Sequence, residues 1–269
     1  MIELFEQDKK VQSRQSSKGN QLKWENEGYW YKADYTGYEG LSEYIVSNLL
    51  SRSTLREDEY VTYDLEQIKY RTQIFNGVKS KDFVAEGWQI ITLERLFKNY
   101  YGESLSKALT QITDYKERLI FLVDKVERIT GINNFGEYMC KLLTIDALFL
   151  NEDRHTHNIA VMMNGEGKYE LCPIFDNGAA LLSDTAMDYP IGEDVSKLIK
   201  EVKSKTICDS LDEQIDIAEC LYGTSINFSF TEKDICDLLN QVTNYSEDIK
   251  KRVEDLLLLQ RRKYAYLFK

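Results

Sequence analysis

The chain has 269 residues, 43% of them hydrophobic and 29% charged, which excludes a disordered polymer and supplies apolar material for one large core or two modest ones. Lys and Arg number 34 against 45 Asp and Glu, a formal net charge of -11, so the surface repels phosphate backbones and anionic lipid, and neither direct nucleic-acid binding nor membrane binding is expected. The five cysteines (Cys140, Cys172, Cys208, Cys220, Cys236) are odd in number without CxxC spacing, and only two histidines accompany them, which argues against a disulfide framework and a structural zinc.

The N-terminus is charged from Glu3, and no run approaches the roughly 18 apolar residues of a membrane span, so a cytoplasmic location is expected. Only Pro173 and Pro190 occur and no repeat is visible, which predicts a compact unit. Its texture changes near residue 95. Before that point Tyr29-Trp30-Tyr31, Tyr60 to Tyr63, Gln73 to Phe75 and Gly87 to Leu93 read as strands of one small sheet, being rich in aromatic and β-branched residues. A helical spacing from Leu41 to Leu50 interrupts them. Gly77-Val78-Lys79-Ser80-Lys81 lacks the GxxxxGK[ST] pattern of a phosphate loop and is read as a connection between lobes. Beyond residue 95 the helical period dominates, over Ser106–Arg128, Phe135–Leu150, Val195–Val202, Ser210–Leu221, Glu232–Val242 and Ser246–Phe268. The leucine run Leu256–Leu259 reads as core packing.

One hairpin breaks the helical part. Ile159–Met163 and Tyr169–Phe175 flank Asn164-Gly165-Glu166-Gly167, whose residues tolerate the positive backbone angles of a tight turn. Its ends carry Asp153-Arg154-His155-Thr156-His157-Asn158 and Phe175-Asp176-Asn177-Gly178. Phosphoryl transfer from ATP needs a carboxylate to orient the attacking hydroxyl and oxygen ligands to hold magnesium against the phosphates. Asp153 suits the base, Asn158 a metal ligand five residues on, and Asp176 the principal magnesium ligand, with Gly178 permitting a sharp turn. Taken singly, Asp153, Arg154 and Asn158 read as a helix end and a solvated loop. Together with Asp176 and Lys32 they read as a nucleotide site, because independent loops seldom reproduce three spaced functions. His155 is expected to order the loop through a hydrogen bond, His157 to be an exposed bystander, and Arg154 to pair with a neighbouring carboxylate. Asp146 has the character of a buried network carboxylate without an assigned role.

DRHxxN followed by an apolar hairpin and FDNG resembles the catalytic and metal-binding segments of HipA-type serine/threonine kinases, which share this arrangement with phosphatidylinositol kinases. The resemblance implies an α+β, two-lobed protein-kinase-like fold: a small sheet-rich N-lobe over residues 1–95 and a larger helical C-lobe over 96–269 that contains the catalytic β-hairpin. It implies Lys32 on a strand holding ATP phosphates and Glu43 on the next helix fixing that lysine. It also implies a phosphate-covering loop at Gly19, Gln21 and Lys23, with Ser16 or Ser17 open to autophosphorylation. The expected cofactors are ATP and Mg2+, and the expected acceptor is a Ser/Thr hydroxyl of a protein. An antitoxin or inhibitor protein is a further partner the resemblance implies. Full-length HipA proteins carry an additional subdomain where only residues 1–15 precede the loop here, so the chain looks more like the compact stand-alone members. Two alternatives accompany this reading: a lipid or small-molecule kinase of the same fold, and a nucleotide-binding pseudokinase. The acidic surface, with no basic membrane-facing cluster, weighs against lipid.

Overall fold

The computed structural model describes residues 1–10 and 21–269. Five strands form a first sheet: β1 (Ile2–Leu4), β2 (Lys23–Asn26), β3 (Tyr29–Ala33), β4 (Asp64–Tyr70) and β5 (Gln73–Lys81). Their order is β1-β4-β5-β3-β2, with β1 parallel to β4 and the other neighbours antiparallel. Between β2 and β3, Glu27 and Gly28 both take positive φ (50° and 78°), the twist that a two-residue hairpin requires. This turn sets the register, pairing Asn26 with Tyr29 and Lys23 with Lys32. Alternation along β3 then sends Tyr31 and Ala33 to one face, where they bury with Leu4, Trp24, Ile68 and Tyr70, and turns Lys32 to the other.

The helix α1 (Glu39–Leu50) lies across that other face. The approach is close. A Cβ on Gly40 would lie 2.8 Å from the Gly77 Cα, so glycine at 40 is what lets helix and sheet touch, while one on Gly77 would lie 2.1 Å from the Lys32 carbonyl oxygen within the sheet itself. One turn beyond Gly40, this contact delivers Glu43 to Lys32. Leu41, Ile45, Val46, Leu49 and Leu50 on α1 join the main core below, which leaves the helix buried on most sides.

The single small sheet expected before residue 95 is two sheets. The strand β6 (Trp88–Thr92) pairs antiparallel with β7 (Ala160–Asn164), which pairs with β8 (Tyr169–Leu171). In the β7–β8 turn, Asn164 Oδ1 accepts N–H bonds from Glu166 and Lys168, and Gly167 has φ 80°, as the hairpin motif predicts. Two further expectations are corrected. Gly77 to Lys81 is the second half of β5 and not a connection, because its backbone is taken up by pairing with both β3 and β4. Tyr60 to Tyr63 forms no sheet strand: Tyr60 bridges to Ile174, and the Val61 N–H donates to the Ile174 carbonyl, clamping this segment beside the loop that carries Asp176.

The remaining helices are α2 (Leu93–Tyr101), α3 (Leu105–Gln111), α4 (Tyr115–Thr130), α5 (Phe135–Phe149), α6 (Val195–Glu201), α7 (Leu211–Tyr222), α8 (Glu232–Asn240) and α9 (Glu247–Lys263). The one helix expected over Ser106–Arg128 is split into α3 and α4, since Asp114 accepts the Glu117 N–H at 2.9 Å and caps a new start. The central member is α5, sheathed by α4, α7 and α9. Phe135, Met139, Leu143 and Phe149 on it are fully buried, and truncating such a phenylalanine costs about 3–5 kcal/mol. Of the run Leu256–Leu259 expected to pack in the core, Leu256 and Leu257 of α9 are core, Leu258 packs half-buried against it, and Leu259 is half-buried outside it. Among the described residues no helix is long and apolar enough to cross a membrane.

Candidate active site

The end of α5 builds the first half of the site. Leu150 caps the helix in a left-handed conformation (φ 59°), and its successor Asn151 turns back so that its Nδ2 donates to Asp146 Oδ1 at 2.8 Å. Asp146, with no solvent exposure, faces the Arg154 guanidinium at 3.1 Å. Arg154 does more than pair with it. Its remaining N–H groups donate to the Asn158 carbonyl at 3.3 Å, the Phe175 carbonyl at 2.7 Å and Asn177 Oδ1 at 2.8 Å. One buried cation thereby ties helix α5, the Asp153 loop and the Asp176 loop together. Within the first loop, Asn158 Nδ2 donates to the Asp153 carbonyl at 2.9 Å, which fixes the amide and leaves its Oδ1 as the atom that could hold a cation. His155 orders the loop through its backbone, whose N–H donates to the Asp153 carbonyl at 3.0 Å and whose carbonyl accepts the Asn158 N–H at 2.8 Å, while its ring Nδ1 is buried without a partner among the described residues; Arg154 and Thr156, whose hydroxyl donates to Glu94, add to that order. His157 is exposed, its ring edge-on to that of His155.

The second half is a salt-bridged triad. Lys32 Nζ donates to Glu43 Oε1 at 2.6 Å and to Asp176 Oδ1 at 2.7 Å, over the ring of Tyr63. Burial opposes ionisation of Asp176, but the ammoniums of Lys32 and Lys23, the Lys32 hydrogen bond and the Arg154 charge outweigh it, and the carboxyl is held far below the usual carboxylate range. Burial likewise opposes the Lys32 charge, and the two carboxylates overcome it, raising its pKa well above the ordinary value. Lys23 moves the other way: burial, with the like charge of Lys32, pulls its pKa down despite Asp176. The sharp turn expected from Gly178 is made by Asp176 itself, with φ 63°, a conformation aspartate tolerates better than most residues. Packing does not demand glycine at 178, since a Cβ there would make an ordinary contact with the Glu39 Cβ at 3.5 Å. Two side chains of α1 and that of Tyr38, which precedes it, hold this loop: Glu43 Oε2 accepts the Asn177 N–H at 2.8 Å, Ser42 donates to the Asn177 and Ala180 carbonyls, and the Tyr38 hydroxyl donates to the Leu181 carbonyl.

Asp153, Asn158, Asp176, Gln21 and Lys23 line one polar pocket of about 60 Å³. Lys32 and Glu43 stand behind it, joined through Asp176. Gly19, Ser16 and Ser17 lie outside the described residues. Three charged groups at the pocket were not read from the sequence, Glu39 of α1 among them. Asp184 lines it, and Lys205, on the connection between α6 and α7, donates to Asp153 Oδ1 at 2.8 Å. No local signal marks Lys205, which comes 52 residues after Asp153 and meets it only through tertiary packing.

No protein-family model matches the chain, and no curated protein is similar to it in sequence. Among solved structures it is similar to the Helicobacter pylori proinflammatory kinase CtkA, with a TM-score of 0.61 and 15% identity over 97% of this chain and 95% of that one. It is also similar to HipA of Shewanella oneidensis MR-1, solved as a toxin–antitoxin assembly with HipB and operator DNA. There the TM-score is 0.47 and the identity 13%, over 89% of this chain and 59% of the other. The expectation drawn from DRHxxN and FDNG therefore holds at the level of architecture: the chain has the fold of the kinase CtkA, a sheet-rich part over a helical one.

Proposed function

We propose that the chain is an ATP- and magnesium-dependent kinase that phosphorylates a serine or threonine hydroxyl of a protein. One observation carries this reading: Asp153, Asn158 and Asp176, from the two ends of the β7–β8 hairpin, face one pocket backed by the Lys32–Glu43 pair. The donor chemistry suits magnesium. Asp176 and Asn158 offer two hard oxygens, the small protein share that Mg2+ takes when phosphates and water complete its shell. No group of three or more His, Cys, Asp or Glu among the described residues is arranged to hold a metal alone. Bound there, the ion would neutralise charge on the β- and γ-phosphates.

Each remaining role falls to this chain's own groups. Lys32, oriented by Glu43, steadies the α/β-phosphates, and Lys23 and Gln21 face them from the loop side. Asp153 accepts a hydrogen bond from the acceptor hydroxyl and aims its oxygen at the γ-phosphorus. A bond forms between that oxygen and phosphorus, the bond from phosphorus to the β–γ bridging oxygen breaks with its electron pair leaving on ADP, and the hydroxyl proton passes to Asp153. The test is incubation of purified chain with radiolabelled ATP and a protein lysate. Asp153→Ala and Asp176→Ala should each lower transfer on the order of 100-fold or more with circular dichroism unchanged. Undiminished labelling by both variants would refute the assignment.

A further inference from the structure

Lys205 contacts Asp153 in a way that the roles above leave unexplained. Its side chain is 41% exposed and that of Asp153 9%, and an ion pair so open to water adds only about 0–1 kcal/mol to a fold. The backbone that carries it is nonetheless held from several sides. The Thr206 hydroxyl donates to the Arg154 carbonyl, the Ser204 hydroxyl donates to Gln214 Oε1 at 2.7 Å, the Ser204 N–H donates to the Asp209 carbonyl at 2.9 Å, and the Arg118 guanidinium donates to the Ile207 carbonyl. Ser204, Thr206 and Ile207 are buried, and Lys205 projects between them. The first of these bonds pins residue 206 to the residue that follows Asp153, so the lysine is positioned from the same stretch of backbone as the base.

The charge around the pocket shows what such a lysine can do. Lys32 is engaged by Glu43 and Asp176, and Arg154 is spent on Asp146, Asn177 and two carbonyls. A phosphoryl group in transit spreads negative charge over three equatorial oxygens, and the acceptor oxygen must reach it while bonded to the Asp153 carboxylate. Two anionic groups therefore converge at the point where Lys205 stands. An ammonium has three donors on a flexible four-carbon stem, enough to keep one on Asp153 and turn another to a phosphoryl oxygen.

We propose that Lys205 is a phosphate-contacting residue of this site, its ammonium bridging Asp153 and the γ-phosphoryl group during transfer. No bond forms or breaks at Nζ, and its protons stay on it. The inference rests on the kinase reading and is tested by binding as well as by rate. Wild type, Lys205→Met and Lys205→Arg are titrated calorimetrically with Mg-ADP and with Mg-ADP plus aluminium fluoride, which mimics the phosphoryl group in flight. Lys205→Met should bind Mg-ADP within about threefold of wild type yet bind the fluoride complex about tenfold or more weakly, with a matching fall in single-turnover transfer. Lys205→Arg should recover part of both losses. Equal effects on the two ligands, no effect on either, or a Lys205→Met enzyme faster than wild type would each overturn the role of Lys205 and leave the kinase reading standing. Failure of the wild-type chain to bind Mg-ADP or Mg-ATP would defeat that reading and the inference together.

Discussion

Asp34 gives the protein a pH dependence that a single substitution should erase. The residue follows β3, where its Oδ1 accepts the Gly40 N–H at 2.6 Å at the start of α1 and its Oδ2 accepts the hydroxyl of Tyr245, between α8 and α9, at 2.7 Å. The adjoining Asn76 Nδ2 donates to the Asn244 carbonyl at 2.7 Å, so the sheet, α1 and the α8–α9 connection meet here. Burial, with the negative Glu39 nearby, pushes the carboxyl from the ordinary 3.8 up to about 7, against the lowering effect of its two hydrogen bonds. A carboxyl whose folded-state pKa lies above its unfolded value binds more protons folded than unfolded, so its contribution to stability is complete below about pH 4, falls as pH rises towards 7, and is lost above. At about 1.4 kcal/mol per tenfold change in proton affinity, the full swing is on the order of 4 kcal/mol at most. Asp34→Asn stays neutral throughout; its Oδ1 can still accept from Gly40, and its Nδ2 can donate to the Tyr245 oxygen. Urea unfolding of both proteins at pH 5, 6, 7 and 8 should show the difference in stability moving in favour of the variant from pH 5 to 7 and levelling off by pH 8. Other titrating groups are common to both chains and cancel in that difference. Parallel stability curves across the four pH values would refute the reasoning.

Three further outcomes follow from the packing of the site. Arg154→Met leaves the buried Asp146 carboxyl without its cation and the Phe175 carbonyl and Asn177 Oδ1 without their donor, and should cost about 3–5 kcal/mol in urea unfolding, only part of which returns when Asp146→Leu is added. Glu43→Gln weakens the hold on both Lys32 and the Asn177 N–H; transfer from ATP should fall about 10- to 100-fold while the melting temperature stays within a few degrees. Gly77→Ala forces a methyl group against the Lys32 carbonyl, where no space exists, and should destabilise the chain by about 1–3 kcal/mol in chemical unfolding.

What could be read from the sequence divides along a physical line. Helices α5, α7, α8 and α9 were legible because each buries a stripe at helical period against one core, and the β7–β8 hairpin because Asn164 and Gly167 answer a strict backbone demand. The strand β4 was missed: Asp64–Tyr70 is mostly polar, and its position is set by pairing with β1 and β5, not by an apolar pattern. The assignment of β6 to the second sheet was hidden for the same reason, since pairing partners leave no mark in either strand alone. In the site, residues drawn from short motifs were found where the motif stood. Lys205, Asp184 and the Gly40–Gly77 contact belong to tertiary neighbours far apart in the chain. Asp146 could be suspected of a network role, but its partner became identifiable only when Arg154 was seen to turn inward.

That inward turn explains how two loops of irregular backbone acquire one geometry. A buried ion pair is a poor source of net stability, because desolvating both charges costs nearly what their attraction returns. Its effect is on alternatives: any arrangement that moves the Asp153 loop from α5 strands Arg154 and Asp146 without each other, and one that moves it from the Asp176 loop strips the Phe175 carbonyl and Asn177 Oδ1 of their Arg154 donors. Helix α1, with Tyr38 just before it, imposes the matching constraint from above, since Ser42, Glu43 and Tyr38 grip residues 177 to 181 while Glu43 also grips Lys32. A displacement of α1 large enough to open the Lys32–Glu43 contact removes the Asn177 N–H bond in the same movement. The strand lysine and the Asp176 loop are therefore set or lost together, because one glutamate divides its two oxygens between them.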